Sequence, residues 1–436
     1  MRRGATKSVA RLRARSQKAH DARGNKRLAE MSARIDAARN SSFTRRPVFD
    51  KTLDVTAYEL VLGDGPVAEV KVDNATGKLV LNEVVELDFE QIRDGKRIQL
   101  TVKPSFFELE LPPQLGPGNV TLVLSSGVDD SPAVVSSLEY VRAIGYHIVL
   151  DDMVANPDLR HLVRFAQAIK VNFGQEIGLS LEKQIGILKS AGVELIADRI
   201  QSYDELRSAS HQGFTQFQGT FLSRPDAFRE TRAPAAQIAA LELITLLQNP
   251  EADINEIAEV IRRDVSLSYR ILKVVNSAQY SLQRPLGSIE EAIMLVGTKQ
   301  IVEWVGMMSM AGLNDKPSEL TRVAMVRAGV CETLAGRLGR QDVQRFHLAG
   351  LFSVIEALLD VPAEKALQDL PLSTEIVDAI LAFGGTMGEV LEGVIAYEEG
   401  DWDRAHILGI TDDAIASAFV AATVETDRAW ERVNGS

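Results

Sequence analysis

The chain has a single cysteine, Cys331, among its 436 residues. One cysteine excludes an internal disulfide and is typical of proteins from a reducing cytoplasm. Because Cys331 lies among apolar residues in an apparent helix, we interpret it as a packed core thiol and not as a nucleophile.

Long apolar runs are also missing. No stretch reaches the roughly 18 consecutive apolar residues that a membrane-spanning helix requires. The N-terminus is positively charged but lacks the apolar segment of a secretory signal. We therefore expect a cytoplasmic protein that does not insert into a membrane.

The first forty residues contain few large apolar side chains and no aromatic ones before Phe43. Residues 1–46 carry 11 Arg and 3 Lys against 3 acidic residues, so their net charge is +11, and the rest of the chain carries −23 of the total of −12. We predict that residues 1–42 form a basic, disordered arm. The arm can contact nucleic acid or another anionic surface through charge, and a solvated tail that screens the acidic body explains the composition equally well.

From Phe43 onward, strand-like segments alternate with helical ones as far as residue 225, a pattern typical of a parallel sheet, here a barrel. The polar segment from Arg224 to Ala236 contains two prolines and marks a boundary, beyond which all periodic segments are helical. The predicted architecture is therefore multidomain, an α/β barrel in residues 43–228 followed by an all-α bundle in residues 229–436.

Two adjacent carboxylates, Asp151 and Asp152, end the apolar strand GYHIVLDDM. In a barrel of this class the chemistry takes place at the C-terminal ends of the strands. The pair can hold a divalent cation or act as acid and base. Alternatively, it only begins a loop and caps the next helix.

Six segments resemble, in order and spacing, the EAL domains, which are cyclic di-GMP phosphodiesterases: RRPVFD, YELVL, GYHIVLDDM, AIKVNF, LIADRI and FQGTFLSRP. The resemblance implies a trimmed TIM-like barrel. In active members, acids and an asparagine at the strand ends bind metal ions that activate water against a phosphodiester. The positions that correspond to such a site in this chain are Glu59, Asp151, Asp152, Lys170 and Asp198.

Other positions depart from the EAL pattern. Val123 and Asn172 stand where the family has a glutamate and an aspartate, the strand RIQLTVKPS has no asparagine, and Arg46 replaces a glutamine. Too little negative charge remains to hold two divalent ions. We therefore expect no catalytic residues and no cofactor, with Mg²⁺ or Mn²⁺ bound only if residual activity remains.

The helical half resembles HDOD domains, which are related to HD phosphohydrolases, through the segment IRRDVSLSYRILKVVNSAQYSLQRPLGSIEEAIMLVGTKQIVEWV. An HD hydrolase needs several His and Asp ligands. The single His-Asp step of this chain, His20-Asp21, lies in the basic arm, and Ser353-Val354 stands where a hydrolase has its pair. We interpret His347 as a core or capping residue, and Asn276-Ser277 as a pair that fixes a turn through side-chain bonds to the backbone.

The two resemblances favour a non-enzymatic bacterial signalling protein that acts through protein partners of the HDOD half. One alternative is residual phosphodiesterase activity with Glu59, Asp151, Asp152 and Asp198 around one metal ion. A second alternative is weak binding of cyclic di-GMP without hydrolysis.

For that receptor function the candidate ligand-binding residues are Arg46, Arg199 and Gln218, in which the arginines supply the cations that a dianionic dinucleotide needs. The short, proline-containing linker also predicts that the two halves form one rigid unit. We expect an apolar contact, with the helices of residues 238–278 and the apolar segment IMLVGTKQIVEWVGMMSM as its candidates.

Overall fold

A computed structural model describes residues 43–62, 93–102, 115–124, 131–151, 157–173, 180–226, 244–245, 254–262, 265–276, 286, 288–311, 316–368, 370, 372–407 and 409–434. The predicted basic arm, the predicted strand KLVLNEVV, Asp152, Ser277 and the domain boundary at residues 228–229 lie outside these ranges. What the sequence predicts for them stays a prediction.

Eight strands close into a barrel in the order of the sequence. They are β1 Phe43–Phe49, β2 Val55–Leu62, β3 Arg97–Val102, β4 Val120–Leu124, β5 His147–Asp151, β6 Ala168–Asn172, β7 Glu194–Ile200 and β8 Gln216–Gly219. Strand β1 is antiparallel to both of its neighbours, β2 and β8, and the other pairs are parallel. The predicted α/β barrel is confirmed.

A tight turn joins β1 to β2, as the sequence predicts. The Asp50 carboxylate accepts hydrogen bonds from the backbone N–H groups of Thr52 and Asp54 at 2.8 and 3.1 Å, and Leu53 between them has a φ of 65°. Because β1 returns antiparallel along β2, its first residues lie at the end of the barrel where the parallel strands finish. The turn thus brings side chains of β1 to the barrel mouth.

A layer of small and branched apolar side chains fills the barrel interior: Val48, Ala57, Val123, Val149, Ala168 and Ile196. Side chains alternate along a strand, so the next residue to point inward lies two positions away. On five of the strands, the inward-facing residue next to the floor on the mouth side is polar: Arg46, Glu59, Asp151, Lys170 and Asp198. The apolar layer therefore forms the floor of a polar mouth.

Three helices and one 3₁₀ segment connect strands in the described part of the barrel half: α1 Pro132–Ala143, α2 Ser180–Ser190, α3 Tyr203–Gln212 and the 3₁₀ segment Pro157–Phe165. A second 3₁₀ segment, Phe221–Ser223, follows β8. The Ser202 side chain caps α3 by accepting the N–H of Glu205 at 3.2 Å. Gly213, with a φ of 95°, ends the same helix and allows the chain to turn into β8.

The second half is helical, as predicted. Its described helices are α4 Ile254–Arg262, α5 Val265–Val275, α6 Ile289–Val296, α7 Thr298–Ala311, α8 Ser318–Arg337, α9 Val343–Phe352, α10 Ile355–Leu359, α11 Ala363–Gln368, α12 Thr374–Ala382, α13 Gly385–Glu399 and α14 Asp412–Asn434.

Local hydrogen bonds fix two features of this half, a helix start at Ser288 and the turn predicted at Asn276. The Ser288 hydroxyl accepts the N–H of Glu291 at 3.2 Å and begins α6. The Asn276 side chain bonds both the N–H and the carbonyl oxygen of Leu286, at 2.7 and 2.9 Å. Asn276 therefore fixes a turn.

The sequence predicts one helix from Val343 to Leu359, and this prediction is wrong. The helix breaks at Ser353-Val354 into α9 and α10. The Ser353 hydroxyl donates to the carbonyl oxygen of Gly350 at 2.6 Å and accepts from Arg327 at 2.7 Å, so its side chain is held by a neighbouring helix at the break.

Residues 374–399 are long and apolar enough to span a membrane by length and composition, and 44% of the most apolar window is buried inside the protein. They form two helices, α12 and α13, separated at Phe383, which has a left-handed φ of 52°. Core helices of a bundle pass the same test, so this finding is weak evidence for a membrane span.

The contact between the halves differs from the prediction. The apolar segment within residues 293–310 packs inside the bundle, where Trp304, Val305 and Met308 are buried, and α7 contacts α5, α6, α8 and α14. Strand β1 instead contacts α13 and α14, near the C-terminus. Of the helices predicted within residues 238–278, the described ones, α4 and α5, pack on α6, α7 and α14 of the bundle, and most of the rest of that range lies outside the described residues.

The contact is also charged where an apolar one was expected. Asp427 of α14 accepts from Arg45 of β1 at 2.6 and 2.9 Å and from Arg322 of α8 at 2.6 Å. Tyr58 of β2 donates to Glu319 of α8 at 3.0 Å. We call these residues, together with Asp94 at 2.9 Å from Arg322, the interdomain ion cluster. Opposite charges let these side chains be buried together.

Candidate functional site at the barrel mouth

Neighbouring strands bring the sequence-predicted site residues to one end of the barrel. Arg46 of β1 pairs in register with Glu59 of β2. Asp151 of β5 pairs with Lys170 of β6, and Asn172 of β6 with Asp198 of β7. Each side chain lies on the mouth side of the apolar floor.

Glu59 is the centre of this mouth. Its Oε1 accepts from Lys170 Nζ at 2.8 Å and from the Thr101 hydroxyl at 3.3 Å. Its Oε2 accepts from Arg46 at 2.6 Å and from Gln218 Nε2 at 2.9 Å. Each carboxylate oxygen therefore accepts one hydrogen bond from a cation and one from a neutral donor.

The electrostatics agree with this geometry. Burial alone would raise the pKa of Glu59, but the charges of Lys170 and Arg46 outweigh burial and lower it to about 2. Lys170 is fully buried, with its Nζ also 3.9 Å from Asp198 Oδ2. The glutamate, the lysine and the arginine form a compact ionic group at neutral pH.

Three buried oxygens at the mouth lack a hydrogen-bond partner among the described residues: Gln99 Oε1, Asp198 Oδ1 and Gln218 Oε1. One buried donor, Arg46 Nε, also has no hydrogen-bond partner among the described residues. Unsatisfied buried polar atoms indicate a place for water or a ligand. Sequence reasoning singled out neither Gln99 nor Thr101, although both are inward-facing polar residues in the alternating strand RIQLTV.

The remaining predicted residues are separate from this ionic group. Val123 is completely buried in the apolar floor. Arg199 is exposed and has a left-handed φ of 61° where β7 bulges against β8, and Asp152 lies outside the described residues. Of the two candidate arginines, Arg46 alone contacts Glu59.

A divalent ion at this mouth would need several carboxylate oxygens. Within the part of the chain that the structure describes, no group of three His, Cys, Asp or Glu side chains is arranged to hold a metal. To bind the ion, Glu59 would have to lose its contacts with Lys170 and Arg46. Among the described residues, the mouth therefore holds an ionic group around Glu59 and no ready pair of metal sites, and Asp152 lies outside these residues.

Ser353, which the HDOD resemblance places at the His-Asp step of HD hydrolases, lies beside an ion pair. Arg327 of α8 forms a bidentate contact with Glu398 of α13, with distances of 2.6 to 3.2 Å, and donates to the Ser353 hydroxyl. His347 is buried elsewhere, with Nδ1 2.9 Å from Glu332. The thiol of Cys331 is buried, and burial raises its pKa to about 12, which confirms a packed core thiol.

A group of acids on α7, α8 and α14 gives a prediction on stability. Burial, together with Glu425 and Glu332, raises the pKa of Glu303 to about 7 against the opposing charges of Lys299 and Arg432. The contribution of Glu303 to the free energy of unfolding is therefore complete below about pH 4.5 and falls as the pH rises to about 7.

Glu303→Gln is expected to stabilise the protein at pH 8 by about 1 to 3 kcal/mol and to leave it little changed at pH 4.5, because glutamine cannot ionise. Urea denaturation at the two pH values measures the difference. The matched control is Glu389→Gln on the exposed face of α13. An equal effect of both variants at pH 8 would refute the assignment.

A family model for the HDOD domain matches residues 233–364. Among curated proteins, YuxH of Bacillus subtilis (strain 168) is 30% identical over 377 residues, which cover 84% of this chain and 92% of YuxH. The cyclic di-GMP phosphodiesterase CdgJ of Vibrio cholerae is 23% identical over 82% of this chain and 85% of CdgJ.

Among solved structures, an EAL domain protein of Listeria monocytogenes matches 44% of this chain and 91% of its own, with 13% identity and a TM-score of 0.35. The alignments to the two curated relatives extend through both the barrel and the helical half, since each covers more than four fifths of the chain.

Proposed function

This chain belongs to the tandem EAL–HDOD signalling proteins, and from that premise we propose that it is a regulator without phosphodiesterase activity. In this proposal the barrel keeps the EAL fold but uses its mouth as a structural and sensing element. The helical half passes the signal to protein partners.

The observation that carries the proposal is the ionic group around Glu59. In a metal-dependent phosphodiesterase the carboxylates of the mouth are ligands that the metal ion needs. Here Lys170 and Arg46 hold Glu59 at 2.8 and 2.6 Å. The positive charge that a metal ion would supply next to Glu59 is already supplied by these two side chains. Unlike a metal ion, they do not bind and activate a water molecule.

The helical half supports the same proposal. Ser353, which stands at the resemblance-implied step of the metal ligands of an HD hydrolase, accepts from Arg327 of the Arg327–Glu398 ion pair. Large apolar side chains are exposed on two helices that pack together: Tyr269 of α5 is 67% exposed and Met294 of α6 is 68% exposed. Exposed aromatic and methionine side chains are typical of surfaces that bind protein partners.

CdgJ, named as a cyclic di-GMP phosphodiesterase, favours one alternative, residual hydrolysis. A second alternative, binding of cyclic di-GMP without hydrolysis, is favoured by the unsatisfied polar atoms of Gln99, Gln218 and Arg46. These atoms could bond the edges and phosphates of a dinucleotide.

One experiment separates the three functions. Purified protein is incubated with cyclic di-GMP and Mg²⁺ or Mn²⁺, the products are separated by chromatography, and binding is measured by calorimetry. We expect no metal-dependent product above background. Turnover that is lost in Glu59→Ala would establish a phosphodiesterase, and binding without product would establish a receptor.

A further inference from the structure

A cavity of about 460 Å³ lies between the two halves. Its volume is within the range of small-molecule sites, roughly 300 to 1,000 Å³. One side is formed by β1 and the segment after β8, and the other by α8, α12, α13 and α14. A ligand in this cavity would contact both halves at once.

The helical side of the cavity has an apolar part among its polar residues. Its lining includes Val323, Ile380, Ile395 and Phe419, of which the first three are only half-buried in the bundle. Such a wall favours the apolar body of a ligand.

The barrel side is cationic. Arg46 lines the cavity, and its Nε is buried without a hydrogen-bond partner among the described residues. Arg224 is exposed there and has no hydrogen bond or ion pair with a side chain in the described part of the chain. The other arginines of the lining are paired with carboxylates: Arg45 and Arg322 with Asp427, Arg327 with Glu398, and Arg404 with Glu392.

The carboxylates of the lining determine how a ligand would lie. Glu356 and Glu399 are on the helical side, so an anionic group would be repelled there and attracted to Arg46 and Arg224. Guanidinium groups form strong, directed hydrogen bonds with phosphate, sulfonate and carboxylate.

We propose that this cavity binds a small amphipathic anion, with its apolar body on the helical wall and its anionic group between Arg46 and Arg224. The bound anion would compete with Glu59 for Arg46, which is 2.6 Å from the carboxylate. It would also contact the wall formed by Arg327 and Ser353. A regulatory effect of the bound anion rests on the function proposed above, whereas the binding itself does not.

The test uses the full chain and two fluorescent probes that share one ring system. The first, 8-anilinonaphthalene-1-sulfonate, carries a sulfonate, and the second, N-phenyl-1-naphthylamine, is neutral. We expect saturable binding of the sulfonate probe at one site per chain and weaker binding of the neutral probe.

Two variants locate the site. Arg224→Ala should weaken binding of the sulfonate probe about tenfold, because one charge-assisted contact is lost, and should change binding of the neutral probe little. Ile380→Glu should weaken both probes, because it places an anion on the apolar wall. Arg345→Ala, an exposed arginine outside the cavity, is the control, and circular dichroism confirms that each variant is folded.

Unchanged affinity of the sulfonate probe in Arg224→Ala and Ile380→Glu would overturn the proposal, since the probe would then be on another surface such as the exposed side chains of Tyr269 and Met294. Equal affinities of the native chain for the two probes, or no binding of the sulfonate probe, would also overturn it. These measurements do not depend on phosphodiesterase activity, so their failure is distinct from failure of the proposed function.

Discussion

Asp427→Asn is expected to lower the free energy of unfolding by about 3 to 5 kcal/mol, the range for removing one partner of a buried ion pair. Asp427 neutralises Arg45 and Arg322, and the side chains of all three are 10% exposed or less. Asparagine has nearly the same shape but no charge. Among the described residues, both guanidinium groups would then keep Asp94 and Glu319 as acidic neighbours in the interdomain contact.

Loss of this charge should also uncouple the two halves. All three tryptophans, Trp304, Trp402 and Trp430, are in the helical half, so their fluorescence follows that half, and far-ultraviolet circular dichroism follows the whole chain. We expect one common transition in urea for the native chain and separate transitions for Asp427→Asn. The control is Glu431→Gln, an exposed acid on the same helix, and equal losses in both variants would contradict the role given to Asp427.

The second large effect is expected for Glu59→Gln, which should also destabilise the protein by about 3 to 5 kcal/mol. The substitution leaves Lys170 buried with Asp198 as its acidic neighbour, 3.9 Å away. Catalytic side chains often cost stability, so their removal tends to stabilise an enzyme. A loss of stability in Glu59→Gln would therefore mark Glu59 as a structural residue.

The pH dependence gives an independent check. The pKa of Glu59 is lowered to about 2, so its contribution to stability is present above about pH 4.5 and is lost as the pH falls toward 2. Glu59→Gln should lack this acid-dependent loss.

The control for Glu59→Gln is Glu194→Gln, an exposed acid of β7. The double variant Glu59→Gln/Lys170→Met should recover part of the lost stability, because it no longer buries an unpaired ammonium group. A stabilising effect of Glu59→Gln alone would favour the phosphodiesterase alternative.

Much of the barrel and its mouth could be predicted from the sequence because the relevant signals are local. Strands such as AIKVN and ELIADRI read as short strands between helical segments, which predicts the barrel. The resemblance to EAL domains then supplied Glu59, Lys170 and Asp198 as positions at its mouth. Gln99 and Thr101 were missed because a glutamine and a threonine in a strand carry no chemical signature until Glu59 is seen beside them.

The interdomain contact could not be predicted in the same way. Arg45 and Asp427 are 382 residues apart, and no local pattern relates them. Tyr58 is similarly an ordinary strand residue until its hydroxyl meets Glu319. The break at Ser353 was missed because Arg327, which holds that side chain, lies on another helix.

The separation of Arg45 and Asp427 along the chain has a consequence for folding during synthesis. Arg45 is in the first described strand and Asp427 is in the last described helix, so a ribosome adding about 5 to 20 residues per second would need roughly 20 to 75 seconds between them. The barrel can close in that interval while Arg45 still faces water. The final helix would then dock last, and a chain that stops short of it would leave the arginine side of β1 uncovered.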